Sequence, residues 1–179
     1  MITIRKAAET DAQRVAEIYV ETWRTTYAGT LPDRVLVGMS SERQAISWAR
    51  AIRHGGEIIY VAEDATAGVV AVGSAGANRT RNSHFAGEVY TLYVHPDFQN
   101  QGVGHRLLTR LFEELAARGM NSAVIWVLAP NPSRFFYERV GGRRVGDRDE
   151  ELWGTTVREI AYGWTDLSAA STAPRRPPG

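Results

Sequence analysis

Six consecutive residues, Gln99-Asn100-Gln101-Gly102-Val103-Gly104, stand between an apolar run ending at Val94 and a helical pattern that continues to Arg118. Backbone N–H groups at a helix start lack internal partners and attract anions. Glycines there let a phosphate approach the backbone without meeting a Cβ atom. The segment therefore reads as a cradle for a pyrophosphate. A flexible turn with a glycine N-cap explains the same letters, and a dinucleotide fingerprint competes with both. Against the fingerprint, Leu107 stands where its third glycine belongs, and the loop from Val94 to Gly102 is too long for its tight turn.

Other chemistries find little support. The chain contains no cysteine, which excludes disulfides, thiolate metal sites and cysteine nucleophiles. Lys6 is its one lysine, so the Gly-Lys-Ser/Thr of a phosphate-loop NTPase is absent and a lysine Schiff base has almost no candidate. His54, His84, His95 and His105 are scattered without ligand spacing, and no metal is expected. Gly73-Ser74-Ala75-Gly76 lacks the glycine two before the serine that a nucleophile elbow requires.

The elements that must position the cradle follow from periodicity. Ile2 and Ile4 alternate with polar residues as a short strand, and Thr10 with Gln13 forms a capping box before Val15, Ile18, Tyr19, Thr22 and Trp23 at helical spacing. Pro32 and Ser40 or Ser41 open two more helical pieces, the second ending toward Gly55. Strands are predicted over 57–63, 69–75 and 88–94, the last ended by His95-Pro96. Val103, Leu107, Leu108, Leu111 and Leu115 share one helical face that stops at Gly119. A strand over 123–128 follows, so a parallel crossover is expected. A short helix over 133–139, a strand from Arg143 and a strand over 155–164 complete a domain at 1–167. Residues 168–179, with Pro174, Pro177 and Pro178 and no apolar period, read as a tail.

With 179 residues the chain is one domain by length and can bury roughly 70% of its unfolded surface. Hydrophobic residues at 44% and charged residues at 23% are ordinary globular values. Net charge is +1, so no long-range field favours nucleic acid or acidic lipid. Neither a signal-peptide core nor a membrane-length apolar run is present, and a cytoplasmic location is expected.

The stretch from Glu88 to Gly104 resembles the acyl-CoA-binding motif of the GNAT N-acetyltransferase superfamily, whose Gln/Arg-x-x-Gly-x-Gly/Ala pattern is met by Gln99, Gly102 and Gly104. Asn131, followed by Phe136-Tyr137-Glu138, resembles the family's later motif. The resemblance covers nearly the whole chain except the tail. It implies an α/β fold with a mixed, mostly antiparallel sheet, flanking helices and a splay between two central strands. It also implies acetyl-CoA as cosubstrate. Leu92, Tyr93 and Val94 would pair through their backbone with the pantetheine arm. Backbone N–H groups from Gln99 through Asn100, Gln101, Gly102, Val103 and Gly104 to His105 would hold the pyrophosphate, and Asn131 would also reach the cofactor. Gln101 departs from a frequent basic residue, and Gly142 from a common phenylalanine.

Acyl transfer to an amine needs a proton acceptor for the amine and a proton for the departing thiolate. Glu88, the one carboxylate of its strand, lies at a spacing before Gln99 where some family members carry a general base, acting directly or through water. A strand-end carboxylate facing solvent or pairing with an arginine explains it as well. Tyr137 matches the family's tyrosine near the thioester sulfur, a general acid, against the reading of a core tyrosine beside Phe135 and Phe136. Trp23, Tyr27 and Leu31 fall where the family walls its acceptor cleft, with helix packing as the alternative. Arg79, Arg81 and His84 read as a solvated basic loop. The expected enzyme is an acyltransferase acting on a small-molecule or peptide amine, with no nucleic acid or membrane partner, and the family's habit of dimerising makes a homodimer one expected state. A non-catalytic acyl-CoA binder would keep Gly102 and Gly104 without needing Glu88 or Tyr137. A nucleotide-binding module would bind a dinucleotide and not CoA.

Overall fold

A computed structural model describes residues 1–81 and 83–172. The order of elements is β1 (Ile2–Lys6), α1 (Ala12–Tyr27), α2 (Asp33–Gly38), α3 (Ser41–His54), β2 (Ile58–Asp64), β3 (Gly68–Ala77) and β4 (Gly87–Val94). After these come α4 (Val103–Ala117), β5 (Ala123–Leu128), α5 (Ser133–Arg139), β6 (Arg143–Leu152), β7 (Thr155–Trp164) and α6 (Leu167–Thr172). The strands run β1-β2-β3-β4-β5-β7-β6 in one seven-stranded sheet. Pairs β1–β2, β2–β3, β5–β7 and β6–β7 are antiparallel, and β4–β5 is parallel. This is the mixed α/β architecture expected. Packing divides the described residues into two units, Met1–Ala75 with Thr91–Leu111, and Gly76–Tyr90 with the described residues from Phe112 on.

In the first unit, Ala12, Val15, Ala16 and Ile18 of α1 pack with Trp48 of α3 and with Ile59, Val61, Val69 and Val72 of the sheet. Apolar burial here repeats at helical spacing on one element and at strand spacing on the other, so each face fits the other's period. Ser40 caps α3 by accepting from the Arg43 amide at 3.2 Å, and Gly55 closes it in the left-handed conformation at φ 65°. Gly73 is needed for close approach. A Cβ there would lie 2.8 Å from Leu111 Cδ1 and 3.2 Å from Leu107 Cγ, so the missing side chain lets α4 seat against β3.

The start of α1 differs from the expected Thr10–Gln13 capping box. A 3-10 turn over Glu9–Asp11 precedes the helix, and Asp11 is the residue that closes it, accepting from the Ala8 amide at 2.7 Å. Asp11 wins because Arg5 donates to both its oxygens, at 2.7 and 3.0 Å, and Arg5 in turn donates to Glu63 at 2.7 Å. The Arg5 guanidinium and the Ala8 amide hold the Asp11 carboxyl below the usual carboxylate range, against the effect of burial. A depressed folded pKa stabilises the fold above the unfolded value and is lost as pH falls through the folded one. Asp11→Asn should therefore cost about 1–2 kcal/mol at neutral pH, a drop of about 3–8 °C in Tm. In thermal melts the gap from the parent chain should narrow in acid, below the usual carboxylate range, and a constant gap would contradict this account.

In the second unit, β4 pairs with β5 over Gly87↔Ala123, Glu88↔Val124 and Val89↔Ile125. The register stops there, although β4 continues to Val94 and β5 to Leu128. This short parallel pairing is the strand splay expected. Hairpin β6–β7 turns on Trp153 and Gly154, at φ 51° and 72°, as a two-residue loop with both residues left-handed. Phe112 of α4 packs its ring 5.0 Å from Trp164 of β7.

Ser168 to Thr172, read from composition as the start of a tail, continue in α6. Leu167 is fully buried and its amide donates to the Asn121 carbonyl at 2.9 Å. Residues 173–179 of that tail lie outside the described residues. No helix among the described residues is long and apolar enough to cross a membrane.

Candidate active site

The segment expected to form the cradle lies in the first unit. His95 begins a 3-10 turn over Pro96–Phe98, its Nδ1 accepting from the Asp97 amide at 3.3 Å and its own amide donating to the Val70 carbonyl at 2.8 Å. Its Nε2 reaches Glu21 of α1 at 3.2 Å. The loop then bends through two left-handed residues, Asn100 at φ 59° and Gly102 at φ 79°. Gly102 is the N-cap of α4, its carbonyl accepting from the Arg106 amide at 3.1 Å. Val103, Gly104 and His105 form the first helical turn, where amides have no carbonyl behind them within the helix. Left-handed residues beside a helix start make a concave run of N–H groups suited to an anion.

The glutamines shape this loop. Gln99 Nε2 donates to the Val94 carbonyl at 2.9 Å, and the Gln99 amide donates to the Pro96 carbonyl at 3.2 Å, so that amide is engaged within the turn. Gln101 Nε2 donates to the Asp97 carbonyl at 2.8 Å. The departure from a basic residue at Gln101 thus coincides with a brace across the loop.

Leu92, Tyr93 and Val94 belong to the same unit. The Tyr93 hydroxyl accepts from Trp23 Nε1 at 3.1 Å, its ring meets Tyr19 edge-on at 5.3 Å, and Trp23 stacks tilted on Tyr27 at 4.8 Å. A residue expected at the cofactor and one expected at the acceptor are therefore joined directly. Next to Trp23, Thr22 Oγ1 is buried with no hydrogen-bond partner among the described residues.

The second unit holds the titratable candidates. Glu88 is 5% exposed, and among the described residues every hydrogen bond on its carboxylate comes from Arg79. The Arg79 amide donates to Oε2 at 2.9 Å, Nη2 to Oε1 at 2.9 Å, and Nε to Oε2 at 3.4 Å. The same guanidinium lies 3.8 Å over the Tyr90 ring. Arg79 is thus paired while its side chain stays 61% exposed, a solvated basic residue that also meets a buried carboxylate. Pairing with an arginine is the alternative weighed for Glu88 from sequence, which does not name the arginine; the available signal was an arginine just past the end of β3 with a carboxylate just inside the start of β4.

Tyr137 is buried at 3% exposure, with ring centroids 5.2 Å from Phe136, 6.2 Å from Tyr162 and 6.3 Å from Trp164. Phe135 is not among these neighbours. It is 52% exposed with Arg134 over its ring at 4.7 Å, because residues two apart on a helix do not share a face. Asn131 Oδ1 accepts from the Ser133 amide at 2.9 Å and so starts α5, the helix that carries Tyr137. Gly142 departs from phenylalanine for a visible reason. A Cβ there would stand 2.7 Å from Trp164 Cζ2 and 2.8 Å from the Tyr137 carbonyl, so the indole already fills the space. Among the described residues no three His, Asp or Glu side chains gather as a metal site.

The sequence profile of the acetyltransferase (GNAT) family matches residues 12–142. The chain is 33% identical over 172 residues to the uncharacterized N-acetyltransferase YuaI of Bacillus subtilis, covering 96% of this chain and 98% of that one. The structure of YncA of Salmonella typhimurium, a putative acetyltransferase with its cofactor acetyl-CoA, superposes with a TM-score of 0.69 at 23% identity, covering 93% of this chain and 94% of the other. PaiA N-acetyltransferase of Thermoplasma acidophilum, in complex with coenzyme A, gives 0.67 at 20% identity and coverage of 89% and 98%. The order and pairing of the strands, the glycine-capped start of α4 and these likenesses converge: the chain belongs to the acetyltransferase (GNAT) family.

Proposed function

We propose that the chain transfers the acetyl group of acetyl-CoA to a primary amine of a small molecule or peptide, by direct attack and without a covalent enzyme intermediate. The observation that carries this reading is the left-handed pair Asn100 and Gly102 at the start of α4. It suits the pyrophosphate of acetyl-CoA, because the amides of Val103 and Gly104 supply donors and the glycines leave the approach open. Leu92, Tyr93 and Val94 offer backbone to the pantetheine arm, and Asn131 contributes a further contact. When bound, the cofactor supplies an activated thioester carbonyl. Trp23 and Tyr27 wall the acceptor.

Glu88, directly or through one water, takes the proton that the amine nitrogen loses as its bond to the carbonyl carbon forms. The Tyr137 phenol gives its proton to sulfur as the carbon–sulfur bond breaks, so that CoA leaves as the thiol. Positioned acids and bases of this kind contribute about 100- to 10,000-fold each. Glu88→Gln keeps the shape and removes the base. Release of free thiol from acetyl-CoA across a panel of amines should fall most at neutral pH and recover in part as pH rises and free amine becomes abundant. A loss that is independent of pH and follows acceptor affinity would make Glu88 an ammonium-binding group instead. Binding of acetyl-CoA with no thiol release for any amine would leave an acyl-CoA-binding protein.

A further inference from the structure

The β3–β4 loop is bonded far more tightly than its composition suggests. Asn78 ties its two ends together, its amide donating to the Ala86 carbonyl at 3.0 Å and its Nδ2 to the Phe85 carbonyl at 2.8 Å. Thr80 is anchored on the other side of Arg79, with its hydroxyl accepting from Trp126 Nε1 of β5 at 3.1 Å and its amide donating to Asn78 Oδ1 at 2.8 Å. Arg79 therefore stands between two fixed neighbours, with its amide and its guanidinium turned to one carboxylate and its guanidinium plane resting on Tyr90.

A carboxylate offers about four lone-pair directions. Arg79 fills three of those on Glu88, and the buried side chain accepts no other hydrogen bond from the described residues. One direction is left for a water or an amine. We propose that Arg79 is a positioning residue that acts through Glu88: it holds the carboxylate so that a single lone pair is presented to the proton it must accept. The inference rests on the base role given to Glu88 above and names what aims it. A lone buried carboxylate would instead rotate or take up a proton, since burial of an unpaired charge is expensive.

Arg79→Ala and Arg79→Lys, each with and without Glu88→Gln, test this by thiol release using the panel amine that the parent chain acetylates fastest. Arg79→Ala should lower kcat by about 10- to 100-fold and change the KM for acetyl-CoA by less than about 2-fold, with Arg79→Lys intermediate because it keeps the charge but not the fork. Guanidinium ion added to Arg79→Ala should restore part of kcat. In the Glu88→Gln background, Arg79→Ala should change kcat by less than about 3-fold, because the two residues act as one unit. An equal loss in both backgrounds, or unchanged kcat in Arg79→Ala, overturns the proposal while leaving Glu88 as base. Parent-like turnover in Glu88→Gln brings down the base reading and this proposal with it. If the alanine variant does not fold, Arg79→Gln, which retains the backbone amide and one side-chain donor, carries the same comparison.

Discussion

Gly104→Val should weaken acetyl-CoA binding by about 30- to 1,000-fold, corresponding to about 2–4 kcal/mol of lost charge-assisted hydrogen bonds. The choice of position matters. Gly102 is left-handed, so any side chain there strains the loop before a ligand arrives, and lost affinity would confound strain with sterics. Gly104 lies in the first turn of α4 and outside the left-handed region, where valine is tolerated about as well as glycine. Its branched Cβ would nevertheless stand at the helix entrance and hold a pyrophosphate away from its donors. Calorimetric titration with CoA and acetyl-CoA, with a thermal melt to show that the variant is folded, makes the test. Parent-like affinity in the folded variant would remove the cradle, and with it the main support for acetyl-CoA as cosubstrate.

The parts of this fold that were legible in the sequence are those where one local rule acts alone. Strands β5 and β7 and helix α5 occupy the residues their apolar patterns predict, because nothing distant competes for them. Where a distant partner intervenes, the local rule loses. Thr10 has the right spacing for a cap, but Asp11 receives two bonds from Arg5 on β1 and takes the role. Leu167 sits at the border of a polar, proline-rich stretch and is drawn into the core by its contact with Asn121.

The site shows the same division. Gly102 and Gly104 are readable because a left-handed turn and a helix start are local backbone geometry, and α4 begins where they predict. Gly142 reads as an anomaly until the Trp164 indole is seen in the place of the absent side chain. The aim of Glu88 was the least readable feature, since alternation assigns a face to a side chain but not the cation that meets it. Arg79 is solvated as a basic residue in a polar loop should be, and it still meets Glu88 because Asn78 and Thr80 on either side are anchored.

Tyr137→Phe removes one hydroxyl and keeps the ring that packs with Phe136, Tyr162 and Trp164, so stability should stay within about 1 kcal/mol while kcat falls by about 10- to 1,000-fold. Water as a partial substitute donor accounts for the width of that range. The neighbouring phenol offers no replacement, because the Tyr162 hydroxyl donates its proton to Glu138 at 2.9 Å. Burial and that carboxylate both push the Tyr162 phenol above its ordinary value, which makes it a still poorer donor to sulfur. Acetyl-CoA affinity should change little, since the groups assigned to the pantetheine arm are backbone ones from Leu92 to Val94. Single-turnover rates with acetyl-CoA and with a thioester of a more acidic thiol separate the readings. A leaving thiolate that needs less help should be lost from Tyr137→Phe at a rate closer to that of the parent chain. Tyr162→Phe cuts only the bond to Glu138 and should leave the comparison between the two thioesters unchanged. Equal defects on both substrates in Tyr137→Phe would place Tyr137 among the packing residues of the Trp164 cluster, and the thiolate would then take its proton from water.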